Sequence, residues 1–288
     1  MKFAVHSLLW TERFDNEPER LVEKAKKLGF DGMEIYVSPQ QLPSFDKARV
    51  KKALESADMD CVGSTCLTVE TDVTSTDEAI RRRGISHLEA SAELFSELGA
   101  KLVSGVTYVA WGKTVGRSRT EEEWKRAVES LKEVCRRISN FEIILGLEPV
   151  NRFETYFLNT ATDAIRLAKE VGEPSIGVHL DTFHMNIEEK NYYDPIIKAD
   201  KLLCHFHCCE NDRGIAGTGN VNWDEVFRGL ADIGYDNWIT IESFTPEIKD
   251  VAASTAIWRQ LAPSADALAS ESLRFLRSMQ AKHLHKSH

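Results

Sequence analysis

EIILGLEPVNRFETYFLN, from Glu142 to Asn159, starts as an apolar run of strand character, closes on a carboxylate at Glu148, and passes through Pro149 into a polar segment carrying Arg152 and Glu154. A buried strand that hands a carboxylate to a loop is how α/β enzymes present reactive groups, since the strand is rigid and the loop is accessible. The arrangement recurs downstream: GVHLD ends at Asp181, CHFH at His207 and ITIE at Glu242. Successive members lie one strand-plus-helix unit apart. The spacing therefore predicts that strands five to eight of a barrel each deliver one polar group to the same rim.

Working outward, strand and helix patterns alternate along the whole chain. Strands are predicted over Phe3 to Leu9, Met33 to Val37, Asp60 to Leu67, Lys101 to Val106, Glu142 to Glu148, Ser175 to Asp181, Lys201 to His207 and Asn237 to Glu242. Helices are predicted over Pro18 to Leu28, Asp46 to Ala57, Thr76 to Leu98, Thr120 to Ile138, Asn159 to Val171, Trp223 to Ile233 and Ser264 to Met279, with a shorter helical stretch around Pro195 to Ala199. Pro18 suits a first turn, and Thr120 with Glu123 forms a capping box. The junctions KLGFDGMEI, ELGAKLVSG and DIGYDNWITIE share a plan of helix end, glycine and strand. Eight such units without a linker predict an α/β fold, one (β/α)8 TIM barrel domain over residues 1–288, with a frayed tail after about residue 280 in the His-rich AKHLHKSH. No GxGxxG follows the first strand, which disfavours a dinucleotide site.

Composition narrows the classes. At 288 residues the chain can bury a large core, and 42% hydrophobic with 28% charged residues is ordinary for a globular protein. A formal charge of −9 argues against a broad electrostatic grip on nucleic acid. No apolar run is long enough for a membrane helix, and MKFAVHSLLW does not continue as a signal peptide, so a cytoplasmic protein without a membrane partner is expected. The six cysteines show no CxxC pair and suggest neither a zinc cluster nor a disulfide framework.

Glu148, Asp181, His207 and Glu242 each have a bland reading as a loop residue or helix cap. Recurrence in phase on consecutive strands favours a metal site instead. Three carboxylates and one imidazole, with no thiolate, suit a borderline-hard divalent ion with positions open to substrate oxygens, so one Mn²⁺ or Co²⁺, or else Mg²⁺, is expected rather than structural Zn²⁺. His179 and His205 precede Asp181 and His207 by two residues, which places them on the same inward face one layer deeper. Glu154, His184 and Arg213 follow their ligands at loop distance and can lean over the metal toward a polyhydroxylated substrate, against the plainer reading of surface salt bridges. Trp10, Phe14, Trp111 and Phe244 are candidates for an apolar wall. Cys208 and Cys209 read as packing residues.

EPVNRFETYFLN, GVHLDTFHMNIEE, FHCCENDRGIAGTGNVNWDEVF and ITIESF together resemble the ketose 3-epimerases, the family of D-tagatose, D-psicose (D-allulose) and L-ribulose 3-epimerases. The resemblance spans nearly the whole chain and is densest from Glu148 to Phe244. It implies a metal held by Glu148, Asp181, His207 and Glu242. It implies that Glu154, His184 and Arg213 fix the C1 and O2 end of a ketose, and that Cys66, Trp111 and Phe244 contribute pocket wall. The implied activity is metal-dependent epimerisation at C3 of free ketohexoses or ketopentoses such as D-tagatose, D-fructose, D-psicose or L-ribulose. Glu148 and Glu242 would remove and return the proton through a cis-enediolate. A homodimer or homotetramer is the implied assembly. The chain departs from the family pattern at His6, where psicose epimerases commonly carry an aromatic residue, and at Phe14 and Tyr156, where tryptophan is common. His6, Phe14 and Tyr156 are thus expected at the distal end of the sugar, with His6 able to donate to a hydroxyl.

Three other readings compete. A hydroxypyruvate- or xylose-type aldose–ketose isomerase shares barrel and metal, but the paired glutamates and the Arg213 loop favour 3-epimerisation. An endonuclease IV-like phosphodiesterase needs more histidines on the first-half strands, which offer only His6. A silent sugar-binding barrel does not account for an intact acid/base pair. The Gly214 to Gly219 loop, where barrels often bind phosphate, reads more simply as a turn into the next helix.

Overall fold

The computed structural model describes residues 1–284. Its elements in chain order are β1 (Lys2–His6), α1 (Pro18–Leu28), β2 (Gly32–Tyr36), α2 (Lys47–Ala57), β3 (Asp60–Ser64), α3 (Glu78–Glu97), β4 (Leu102–Ser104), α4 (Glu121–Arg137) and β5 (Ile144–Leu147). There follow α5 (Ala161–Val171), β6 (Ile176–Asp181), α6 (Thr182–Glu188), α7 (Tyr193–Ala199), β7 (Leu203–Cys208), α8 (Trp223–Asp232), β8 (Trp238–Ile241), α9 (Lys249–Thr255) and α10 (Ala265–Leu284). The strands pair in parallel and in sequence order, and β1 closes on β8. This is the expected (β/α)8 barrel.

Local chemistry sets the element ends. Pro18 occupies the first turn of α1, and Gly29 ends it in the left-handed conformation at φ 97°, its N–H returning to Ala25. Thr120 and Glu123 form the capping box of α4, the Thr120 hydroxyl accepting from Glu123 N and Glu123 Oε2 accepting from Thr120 N. The apolar alternation of β2 sends Met33 and Ile35 outward to the helices and leaves Gly32, Glu34 and Tyr36 facing inward.

The strands are shorter than the apolar runs suggest. β1 ends at His6 and a 3-10 turn takes over Ser7–Leu9, while Glu148 and Glu242 lie just beyond β5 and β8. Rim residues leave the ladder to join loops, so apolar character outlasts strand pairing. Two short helices, α6 and α9, were not expected. Asp181 is the last residue of β6 and also the N-cap of α6, its Oδ1 accepting from Phe183 N at 2.7 Å, so no loop separates the two elements. The expected fraying after residue 280 is corrected as far as Leu284, since α10 continues and Lys282 and His283 both reach Asp224. Residues 285–288 of that tail lie outside the described residues.

Register sets the phase of the interior. Asp181 pairs with His207, His179 with His205, and His6 with Glu34. The pairing of β6 with β7 shifts between Val178 and His179, leaving Cys204 as the extra residue of a bulge. That shift aligns His205 and His207 of β7 with His179 and Asp181 of β6.

One buried group gives the fold a pH signature. His87 on α3 donates from Nε2 to Thr65 Oγ1 at 2.9 Å, since the Thr65 hydroxyl is committed to Val37 O at 2.8 Å. Burial drives the His87 imidazole down to about 4. Its folded value is depressed, so protonation favours the unfolded chain, and stability present above about pH 6.5 is lost as pH falls toward 4. At about 1.4 kcal/mol per unit, this group removes about 3 kcal/mol across the window. Denaturant unfolding of His87→Gln between pH 7 and 4.5 is expected to show a flatter profile than the unsubstituted protein. Parallel profiles would contradict the assignment.

Candidate active site and metal centre

Glu148, Asp181, His207 and Glu242 converge at the C-terminal mouth, with one ligand atom from each lying within 4.8 Å of all the others. The strand ends explain the convergence: each residue terminates or immediately follows one of β5 to β8. Beside this cluster a cavity of about 570 Å³ is lined by His6, Cys66, Trp111, Glu148, Glu154, His184, Arg213, Glu242 and Phe244.

His207 tests whether this set suits a cation. Its Nε2 lies 3.0 and 3.1 Å from the oxygens of Glu34, whereas its buried Nδ1 has no hydrogen-bond partner among the described residues. That Nδ1 is 3.5 Å from Glu242 Oε2 and 3.9 Å from both Glu148 Oε1 and Asp181 Oδ2. A ring nitrogen set among three carboxylates calls for positive charge, carried by the ring itself or by a cation between the four groups. The donors therefore fit a hard or borderline divalent ion.

The carboxylates sit in contrasting fields. Burial pushes the Glu148 carboxyl well up, reinforced by the neighbouring charges of Glu242 and Asp181. Burial acts on Glu242 in the same direction but is outweighed by Arg213 and His207, which hold it well below its usual value. In the ion-free cluster, burial and neighbouring charge thus move the two carboxyls in opposite directions.

Arg213 is the electrostatic partner of the cluster. Its Nη1 donates to Asp181 Oδ2 at 2.8 Å and Glu242 Oε2 at 2.7 Å, and its guanidinium lies between the rings of Phe183 and Phe244, 4.1 and 5.2 Å from their centroids. The Arg213 backbone is left-handed at φ 66°, costly for a residue with a side chain. It is held there by Ser243 Oγ donating to Arg213 O and by Arg213 N donating to Glu210 O. Glu210 is itself buried and accepts from Gly217 N and Trp223 Nε1, both at 2.7 Å, which fixes the Gly214 to Gly219 loop internally as a turn.

His184 and Glu154 are pre-positioned through Asn151. The Asn151 backbone N–H donates to His184 Nδ1 at 3.1 Å, and burial pushes that imidazole down to about 4. A neutral ring with Nδ1 accepting carries its proton on Nε2, 3.8 Å from Glu148 Oε1. Asn151 Nδ2 donates to Glu154 Oε1 at 2.7 Å, and Trp111 Nε1 donates to Glu154 Oε2 at 2.9 Å. Gly105 completes this wall: at φ 127° it brings its backbone against Thr65 O, where a Cβ would approach to 2.3 Å.

Several expectations are corrected. Phe14 is fully buried in the core, because the 3-10 turn Phe14–Asn16 packs it against α1 and α2. Neither Trp10, Phe14 nor Tyr156 lines the cavity, whose rim is built instead by Leu8, Phe183, Val251 and Thr255. Cys209 is more than packing, since its Sγ donates to Asp181 Oδ1 at 3.4 Å and receives Arg213 Nη1 at 3.1 Å. His6 does face the cavity, with Nε2 3.2 Å from Ser64 Oγ and 3.8 Å from Glu242 Oε1. Sequence reasoning missed Glu34, which is buried against His205 and His207 and is signalled by a glutamate on the inward phase of GMEIY. Phe183, Asn151 and Glu210 left no periodic signal, as they act from loops and a helix start.

The family model described as xylose isomerase-like TIM barrel matches residues 22–279. A ketose 3-epimerase of Arthrobacter globiformis is 36% identical over 281 residues, covering 96% of each chain. A probable ketose 3-epimerase of Synechocystis sp. is 34% identical over 277 residues, again covering 96% of each. The crystal structure of D-allulose 3-epimerase from Methylomonas sp. in complex with D-allulose matches with a TM-score of 0.91 at 32% identity, covering 97% of both chains.

Proposed function

The chain belongs to the xylose isomerase-like TIM barrel family and, within it, to the ketose 3-epimerases, and on that premise we propose how its residues invert C3 of a free ketose. It is an isomerase, and the reaction is epimerisation of ketoses at C3. The observation that carries the residue assignment is the pairing of Glu148 and Glu242 around the partnerless Nδ1 of His207.

The C3 proton of a ketose is acidic because the neighbouring C2 carbonyl takes up the charge as an enediolate. Glu148, Asp181, His207 and Glu242 would hold one divalent ion, Mn²⁺ or Co²⁺ before Mg²⁺, which when bound supplies Lewis-acid stabilisation of charge developing on substrate oxygens. Glu148 and Glu242 come from β5 and β8, well separated around the barrel, and so address C3 from two sides. One removes the proton from its face and the other delivers a proton to the opposite face. No electrons leave the sugar, and exchange with solvent resets the two carboxyls.

The remaining residues orient the substrate. His184 Nε2–H and the Arg213 guanidinium present donors to the C1 and O2 end, while Glu154, clamped by Trp111 and Asn151, presents an acceptor. Phe183 and Phe244 flank Arg213 and exclude water from it. His6 and Cys66 lie toward the distal hydroxyls.

The test is incubation of Mn²⁺- or Co²⁺-loaded protein with D-fructose, D-tagatose, D-psicose and L-ribulose in D₂O. Deuterium at C3 of at least one sugar and of its epimer is expected. Label at C1 alone would indicate aldose–ketose isomerisation, and no label in any sugar would overturn the assignment.

A further inference from the structure

Glu34 is a carboxylate at the centre of the barrel, 0% exposed, on a strand that contributes none of the four candidate ligands. Its Oε2 lies 2.7 Å from His205 Nε2 and 3.1 Å from His207 Nε2, and its Oε1 lies 3.0 Å from His207 Nε2. Its hydrogen-bond partners among the described residues are these two imidazoles. A buried carboxylate is costly unless hydrogen bonds replace its hydration, so both rings must turn an N–H toward it.

That requirement puts a proton on Nε2 of each ring. A carboxylate only accepts, so His207 turns Nε2–H to Glu34, and Nδ1 is the nitrogen left to face a cation. Nδ1 is the atom that lies among Glu148, Asp181 and Glu242 without a partner. The opposite tautomer would present N–H to the metal position and a lone pair to Glu34, losing ligand and hydrogen bond together. His205 holds Glu34 from below: its own Nδ1 is partnerless among the described residues, so its only hydrogen bond is the one to Glu34.

We propose that Glu34 is a positioning residue of the metal centre, which through His207 Nε2–H fixes the ring, its tautomer and its strength as a ligand, with His205 as the anchor of that carboxylate. The proposal rests on the metal reading of Glu148, Asp181, His207 and Glu242. It also gives the first half of the barrel a part in a site whose ligands all come from the second half. Hydrogen-bond partners of this kind typically alter metal affinity by 10- to 100-fold.

The test is Mn²⁺ affinity of Glu34→Gln, read from the free-ion electron paramagnetic resonance signal during titration of chelator-treated protein. Glutamine keeps the volume but removes the charge and sets an NH2 donor in place of one acceptor oxygen, so the charge-assisted hydrogen bond from His207 Nε2–H is weakened. A 10- to 100-fold weaker Kd is expected, with thermal unfolding of the metal-free variant close to that of the metal-free unsubstituted protein. A Kd within threefold of the unsubstituted value would overturn the role of Glu34 while leaving the metal site standing. Absence of Mn²⁺ binding by the unsubstituted protein would overturn both. Should Glu34→Gln not fold, the Co²⁺-loaded unsubstituted protein decides. A hyperfine-shifted imidazole N–H that exchanges slowly and belongs to His207 Nε2 is expected, and a His207 proton on Nδ1 would refute the proposal.

Discussion

Glu148→Gln and Glu242→Gln are each expected to lower kcat by about a hundred- to ten-thousandfold, the range that loss of a positioned general acid or base spans. Glutamine fills the same space and keeps one oxygen for coordination, so the loss falls mainly on proton transfer. The two variants should differ in a way that a common structural defect would not produce. If each carboxylate serves one face of C3, the glutamate that remains still removes a proton from one epimer and returns solvent hydrogen to the same face. Residual C3 exchange in D₂O is therefore expected from one epimer in Glu148→Gln and from the opposite epimer in Glu242→Gln. Glu154→Ala should instead act mainly on KM, because Glu154 lines the cavity, is held by Trp111 and Asn151, and is not among the candidate ligands. Equal, mild losses in all three variants, or residual exchange from the same epimer in both glutamine variants, would contradict the division of roles.

The residues of that division were legible in the sequence to different degrees. Glu148, Asp181, His207 and Glu242 stand at the ends of apolar runs, and strand alternation with one group per unit is enough to bring them to one rim. The same alternation runs through GMEIY, where outward Met33 and Ile35 leave Glu34 inside, so Glu34 was readable from phase though not from any strand end. Phe14 and Tyr156 were misplaced for a different reason. Their distance along the chain from a strand is known, but the 3-10 turn Phe14–Asn16 rotates Phe14 into the core, and no periodicity reports such a rotation. The helix α6 was hidden because Asp181 serves at once as strand end, N-cap and candidate ligand, leaving none of the loop residues that announce a boundary. The left-handed Arg213 was hidden too, since the turn from Glu210 is local but the hydrogen bond to its carbonyl comes from Ser243, thirty residues on. Tertiary contacts, not local propensity, decide these positions.

Removing the metal should abolish turnover and lower thermal stability together. Three carboxylates approach one another within 4.8 Å, and their repulsion is offset within the chain by Arg213 on Asp181 and Glu242 and by His207. A divalent ion held by these residues would add attraction to all three carboxylates at once and supply the partner that His207 Nδ1 lacks among the described residues. An ion that binds only the folded chain stabilises it by about 2.7 kcal/mol at a hundred times its Kd. At roughly 2–4 °C per kcal/mol for a chain of this size class, Tm is expected to rise by roughly 5–10 °C on loading. The rise should grow with the logarithm of ion concentration, which a nonspecific salt effect would not follow with the same sensitivity to Asp181→Asn. Dialysis against a chelator, then stepwise return of Mn²⁺ or Co²⁺, gives both readouts on one sample. Activity and Tm should recover over the same concentration range, since one ion serves both. Full activity after chelation, or a Tm that does not respond while activity does, would separate the bound ion from this carboxylate cluster and place it elsewhere.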